Sequence, residues 1–194
     1  MTTGNRIIVA AVVVALAQVG FLFWLIAGRA AILRDGRDIV LKVEPVDPRD
    51  LLRGDYVRLG YEISSIPVSK ISNVSPDQTW SDASDLHVRM RKGADGYWHL
   101  LSATFGAPLP AVPGPDEADI KGSIEAGWDL SPGTSIEPEY GIGRFYLPEG
   151  EGMDLEKDIR VRPFGIRLAL AADGTAQIKA LMDGDTMLFQ EPLY

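Results

Sequence analysis

The chain has 194 residues, a formal net charge of −8 and no cysteine. The missing cysteine excludes disulfides, thiol nucleophiles and zinc-thiolate sites, and the negative charge argues against binding to nucleic acid or another polyanion. An apolar segment opens the chain, and the roughly 155 residues after it suffice for one domain with a hydrophobic core.

The apolar segment, residues 7–27, predicts a transmembrane helix. It contains one strongly polar side chain, Gln18, and at 1.5 Å per residue its roughly 21 residues span about 31 Å, the thickness of a bilayer's hydrocarbon core. Arg6 and Arg29 flank the segment, and Trp24 lies near one end, where an indole suits the membrane interface.

A cleavable signal peptide is the alternative, because residues 28–30 place small side chains at a spacing suited to cleavage. The apolar cores of signal peptides are about 7 to 15 residues long, shorter than this segment. The length therefore favours an uncleaved anchor in residues 1–35, helical until Gly36. Gln18 would then lie in mid-membrane, either as a contact to a neighbouring helix or as a tolerated polar residue.

Charges and turn residues are densest in residues 45–61. Asp47, followed by proline, suits a helix N-cap, and Gly54 suits the end of one short helical turn. From Asp55 the apolar period becomes two, which predicts a half-buried strand to about residue 64. The inward face of that strand would carry Val57, Leu59, Tyr61 and Ile63.

Two interpretations of this passage are open. Turn chemistry and a core aromatic residue, Tyr61, account for most of its residue types. Alternatively, its charged side chains form a cluster that binds a partner or a ligand. The charged candidates for such a contact are Asp47, Arg49, Asp50, Arg53 and Asp55.

The same passage carries a motif whose fixed positions are Gly54, Asp55, Tyr56, Leu59 and Tyr61. Through it the chain resembles the GDYXXLXY family of uncharacterised bacterial membrane proteins. Residues 146–152, which include Glu149 and Gly150, are similar to the second signature of that family. The resemblance implies a domain anchored by a single span. It implies no established reaction, so no catalytic residue is carried over.

The clearest hairpin of the chain is predicted around a turn at residues 93–96, with a return strand at residues 97–105. In its first strand the inward positions are Leu86, Val88 and Met90, and the outward positions are His87, Arg89 and Arg91.

Further strands are predicted at residues 39–43, 119–128, 140–147, 159–171, 176–182 and 187–189. The fold class is therefore mainly β, with one N-terminal transmembrane helix followed by a single barrel- or sandwich-like β domain. Residues 36–194 are expected to form this extracytoplasmic domain.

Groups for catalysis or metal binding are sparse. His87 and His99 make a poor metal site and fit ordinary strand histidines. Glu149, Glu151 and Asp154 could line a calcium or substrate site, but their spacing matches no calcium loop and a solvated turn explains them. We therefore predict no catalytic, cofactor-binding or metal-binding residue.

Two arguments disagree about the side of the membrane on which the C-terminal domain lies. Basic residues follow the apolar segment, Arg29 and Arg34 among them, which favours a cytoplasmic C-terminal side. Long domains, however, translocate largely regardless of charge, and the family resemblance fits an extracytoplasmic domain. We predict a single-pass protein of the bacterial inner membrane with a periplasmic C-terminal domain.

These observations predict a membrane-anchored periplasmic module with an interaction or accessory role, in contact with bilayer lipid and with a multi-span membrane protein. One alternative is a small-ligand-binding β domain, with a pocket lined by Tyr56 and either Trp98 or Trp128. The other is an envelope hydrolase whose candidate carboxylates are Asp47, Asp50, Asp55, Glu149 and Glu151.

Overall fold

A computed structural model describes residues 3–44, 56–74, 84–146 and 163–191. Its helix, α1, spans Thr3–Asp35. The strands in chain order are β1 Arg37–Lys42, β2 Tyr56–Arg58, β3 Ile66–Pro67, β4 Ser84–Lys92, β5 Trp98–Phe105, β6 Glu117–Ile124, β7 Ser135–Ile136, β8 Arg144–Tyr146, β9 Gly165–Leu170, β10 Ala176–Asp183 and β11 Thr186–Gln190.

Helix α1 is apolar on every side. Its segment Ile7–Asp35 is long and apolar enough to cross a membrane, with a mean hydropathy of 2.5, a test that a signal sequence near the N-terminus also passes. Large apolar side chains from Ile7 to Ile26 are exposed, and Phe23 is 72% exposed. The core helix of a globular domain would bury such side chains. The helix is therefore a membrane anchor or a signal sequence.

The C-terminal turn of α1 joins the β domain directly. Leu33 is only 2% exposed, and the Gly36 N–H donates to the Ile32 carbonyl at 2.9 Å. A Cβ atom at Gly36 would lie 2.4 Å from that carbonyl oxygen and 3.1 Å from the Ala169 Cβ, so only glycine permits this approach. The predicted end of the helix at Gly36 is confirmed, and β1 begins at the next residue.

The described strands form four antiparallel groups. The largest sheet has the order β1-β9-β10-β11, and a three-stranded sheet has the order β5-β4-β6. Two short ladders pair β2 with β8 and β3 with β7. Among the described strands no sheet closes on itself, so the sandwich-like alternative fits better than the barrel. The predicted mainly β class with one N-terminal helix is confirmed.

One hydrophobic core lies between these groups, with side chains from every described sheet. Ile39 and Leu41 of β1 enter it at 1% and 2% exposure, as the sequence alternation predicts. Arg37 links the two larger sheets, because its guanidinium lies 5.1 Å from the centre of the Trp98 ring and donates to the carbonyls of Pro115 and Glu117.

The predicted strand after Asp55 is wrong in its length. The structure describes extended pairing only in β2, followed by a single bridge between Glu44 and Gly60 and a 3₁₀ turn at Glu62–Ser64. The Ser64 hydroxyl accepts the Tyr61 N–H at 3.1 Å, which closes this turn and ends the strand. The inward face was nevertheless predicted correctly for Leu59, Tyr61 and Ile63, which are 6%, 3% and 1% exposed.

The predicted hairpin is confirmed as β4 and β5, with Leu86, Val88 and Met90 fully buried. The prediction that His87 and Arg89 point to solvent is wrong, since they are 8% and 5% exposed. The chain between β5 and β6 covers this second face of the sheet, and Arg89 donates to the Ala111 carbonyl there.

The remaining predicted strands correspond to β6, β8, β9, β10 and β11 where the structure describes them. The strand predicted at residues 119–128 begins earlier and ends at Ile124, because the chain turns at Gly127, whose φ of 91° suits glycine. Residues 159–162 of another predicted strand lie outside the described residues.

Candidate functional site

Most of the predicted contact residues lie outside the part of the chain that the structure describes. These are Asp47, Arg49, Asp50, Arg53, Gly54, Asp55, Glu149 and Gly150, together with Glu151 and Asp154. The described motif positions are Tyr56 in β2, and Leu59 and Tyr61 just after it.

The two signature segments meet in the ladder of β2 and β8. Tyr56 pairs with Tyr146, Val57 with Phe145, and Arg58 with Arg144. The first strand therefore begins beside the residue at which the second signature starts. The sequence indicated each signature separately, and no local pattern could show that the two are paired.

Leu59 and Tyr61 are held by the segment that precedes β8. The Leu59 N–H donates to the Gly143 carbonyl at 3.0 Å, and the Tyr61 hydroxyl donates to the Ile142 carbonyl at 2.9 Å. Burial raises the pKa of Tyr61 far above its ordinary value, so the phenol stays neutral. The interpretation of Tyr61 as a core aromatic residue with a satisfied hydroxyl is confirmed.

A cleft of about 950 Å³ opens beside this segment, and we call it the motif cleft. Its walls include Arg29 of α1, residues 58–61, residues 137–144, and Gln177 and Ile178 of β10. The side chain of Tyr140 forms part of the wall, and its hydroxyl donates to the Ile63 carbonyl at 3.0 Å. The cleft thus joins the motif segment to the end of the apolar part of α1.

The motif cleft carries charges of both signs. Arginine and glutamate side chains from five separate parts of the chain line it, which is why sequence reasoning did not group them. The arginines are Arg29, Arg58 and Arg144, and the glutamates are Glu44, Glu137, Glu139 and Glu191.

The model of the GDYXXLXY protein family matches residues 18–181, which is most of the chain. The chain belongs to the GDYXXLXY family. No curated protein and no solved structure matches it. Family membership assigns no reaction to the motif.

In this GDYXXLXY family member, the motif residues Leu59 and Tyr61 have a structural role. Leu59 and Tyr61 are buried and fix the motif segment to residues 142–143, whereas Arg58 between the motif positions is exposed on the motif cleft. Leu59 and Tyr61 therefore position one wall of the cleft, and the charged side chain on that wall is Arg58, at a position that the motif does not specify.

A second cluster of titratable groups lies just beyond the GDYXXLXY motif. The Nδ1 atom of His99 is 2.9 Å from the Glu62 carboxylate, and its Nε2 atom is 3.1 Å from both oxygens of Asp95. The imidazole donates to both carboxylates, and these hydrogen bonds, the one to Asp95 first, raise the pKa of His99. Among the described residues no group of three or more His, Cys, Asp or Glu side chains could hold a metal ion.

We expect the His99 cluster to make stability depend on pH. Because the pKa of His99 is higher in the folded protein than its unfolded value of about 6.5, the contribution is complete below about pH 6.5 and is lost as the pH rises through the folded pKa. The His99 side chain is 43% exposed, so we expect this contribution to the free energy of unfolding to be at most about 1 kcal/mol. The contribution is measured by unfolding the wild type and His99→Gln in denaturant at a series of pH values from 5 to 9.

Glu62→Gln is the matched control, because it removes one of the two carboxylates and should remove part of the pH dependence. A difference between the wild type and His99→Gln that stays constant from pH 5 to pH 9 would contradict the assignment.

Proposed function

We propose that this chain is a membrane-anchored accessory module of the bacterial inner membrane, with residues 1–35 as an uncleaved anchor and residues 36–194 as a periplasmic β domain. The observation that carries the proposal is the junction of α1 with the domain. An apolar exposed helix continues without a linker into a turn whose Leu33 is buried in the domain.

The same junction supports an uncleaved anchor. The possible cleavage site at residues 28–30 is helical, and Arg29 lines the motif cleft. A peptidase needs its substrate extended, so cleavage there would require the last turns of α1 to unwind. Retention of the helix in the bilayer is therefore part of the proposal.

The partner that we propose is a multi-span membrane protein. Gln18 lies near the middle of the apolar segment and is exposed on α1. In hydrocarbon its carboxamide has no water to bind, and a neighbouring helix can supply the hydrogen bonds. The motif segment, including Asp47, Asp50 and Asp55, would add a second contact with the same partner.

The experiment is crosslinking in intact membranes, followed by purification of the tagged full chain and identification of the proteins bound to it. We expect Gln18→Leu to reduce the amount of the co-purified membrane protein about fivefold, since one interhelical hydrogen bond contributes about 1 kcal/mol. Val19→Leu, next to it on the exposed helix, is the matched control. Asp55→Ala tests the surface contact in the same assay.

Two results would contradict the proposal. One is an unchanged set of bound proteins in both Gln18→Leu and Asp55→Ala. The other is release of the chain from membranes by alkaline carbonate, with a new N-terminus near residue 31.

The small-ligand alternative is supported by one observation, the volume of the motif cleft. A cleft of about 950 Å³ falls within the range of ligand sites, roughly 300–1,000 Å³. Trp98 and Trp128, the residues expected to line such a pocket, do not line it. Arginine and glutamate residues line it together with apolar residues such as Leu59 and Ile142, and the charged groups favour a ligand that itself carries charge.

A further inference from the structure

We propose that the motif cleft binds the headgroup of a membrane phospholipid, with the phosphate on its arginines and the ammonium group of a phosphoethanolamine headgroup on its glutamates. The inference rests on the anchoring of α1 in the proposed function. It does not depend on the partner protein.

The cleft lies at the depth of the headgroups when α1 spans the bilayer. The exposed large apolar side chains of the helix end at Ile26, and Arg29 follows three residues later, about 4.5 Å along the axis. The headgroup layer on each side of the hydrocarbon core is about 5–7 Å thick. Because Leu33 fixes the helix to the domain, the cleft that contains Arg29 is held at this layer.

The arginine wall suits a phosphate. Arg58 and Arg144 are direct partners across the ladder of β2 and β8, and both are exposed on the cleft side. No ion pair joins Arg58 to another described residue. Arg29 lines the same cleft, so the guanidinium groups of Arg29 and Arg58 both face an anion that enters it. Guanidinium groups also match the oxygens of a phosphate in a bidentate manner.

The glutamates determine which phospholipid headgroup fits the motif cleft. Glu44, Glu137 and Glu191 line the same cleft as the arginines, so an entirely anionic headgroup would meet carboxylates as well as guanidinium groups. A phosphoethanolamine group carries a phosphate and an ammonium group that donates three hydrogen bonds, and it complements both sets. A phosphocholine headgroup has a cation without N–H donors and satisfies the carboxylates less well.

The test measures which phospholipid the purified full chain retains in detergent, by native mass spectrometry with dioleoylphosphatidylethanolamine, the corresponding phosphatidylcholine and phosphatidylglycerol as probes. We expect preferential retention of phosphatidylethanolamine. Arg58→Gln should weaken this retention about tenfold, since it removes a charge-assisted contact to the phosphate. Lys70→Gln, exposed and outside the cleft, is the matched control and should change nothing.

Arg29→Gln is a second variant, and because Arg29 lies on the exposed part of α1 it tests the same site without touching the β core. Retention of phosphatidylethanolamine unchanged in both Arg58→Gln and Arg29→Gln overturns the proposal. Equal retention of phosphatidylcholine overturns the role of the glutamates. Free phosphoethanolamine that binds as tightly as the lipid overturns the assignment to a lipid.

A separate measurement tests whether α1 anchors the chain in the membrane. Extraction of the chain by alkaline carbonate contradicts the proposed function, whereas the loss of lipid retention in Arg58→Gln relative to Lys70→Gln is measured in detergent and reports on the cleft alone.

Discussion

Replacing Arg89 with alanine should lower the free energy of unfolding by about 3 kcal/mol, because it breaks a largely buried ion pair. The Arg89 Nε and one terminal nitrogen donate to the two carboxylate oxygens of Asp119 at 2.7 and 2.8 Å. The Arg89 side chain is 7% exposed and the Asp119 side chain 21%. Unfolding of the full chain in detergent, followed by tryptophan fluorescence in denaturant, measures the change.

Arg91→Ala is the matched control, two residues further along the same strand and the same face. Its guanidinium pairs with Glu117 of the neighbouring strand β6 at 2.6 Å, but the Arg91 side chain is 58% exposed. We expect a loss of at most about 1 kcal/mol from this exposed pair. Equal losses in Arg89→Ala and Arg91→Ala would show that burial does not distinguish the two pairs.

Replacing Phe145 with alanine should cost about 3–5 kcal/mol, since its side chain is 2% exposed and the variant leaves a large cavity. Phe145 lies in β8 opposite Val57, so the cavity opens beneath the ladder that joins the two signatures. Amide hydrogen exchange should therefore accelerate most at Leu59, whose N–H donates to the Gly143 carbonyl.

Phe189→Ala is the control for this variant. Phe189 is only half-buried, in the edge strand β11, so we expect roughly half of the loss and unchanged exchange at Leu59. Exchange at Leu59 that rises equally in both variants would mean that Phe145 stabilises the domain as a whole and has no particular effect on the motif segment.

The elements that follow from local pattern were predictable. Helix α1 is evident from its apolar length, its end from Gly36, and the β4–β5 hairpin from alternation and its turn. The prediction that Arg89 points to solvent was wrong, because alternation does not reveal whether a later loop covers the second face of a sheet. Only the tertiary structure places the chain between β5 and β6 above Arg89.

The candidate site was predictable only in its motif positions. The sequence indicated that Leu59 and Tyr61 are inward, and the structure agrees. The pairing of Arg58 with Arg144 depends on a contact between strands far apart in the chain, and local patterns carry no information on such pairings. The glutamates of the motif cleft come from separate segments and have no common spacing.

In the membrane-anchored arrangement that we propose, the direct junction at Gly36 makes the orientation of the β domain sensitive to bilayer thickness. Transmembrane helices tilt by about 20° on average, and a longer apolar stretch tilts further in a thinner membrane. Since Leu33 is buried in the domain and β1 starts at Arg37, no linker absorbs this tilt. A change of tilt in α1 therefore rotates the β domain through the same angle and turns the mouth of the motif cleft toward or away from the membrane plane.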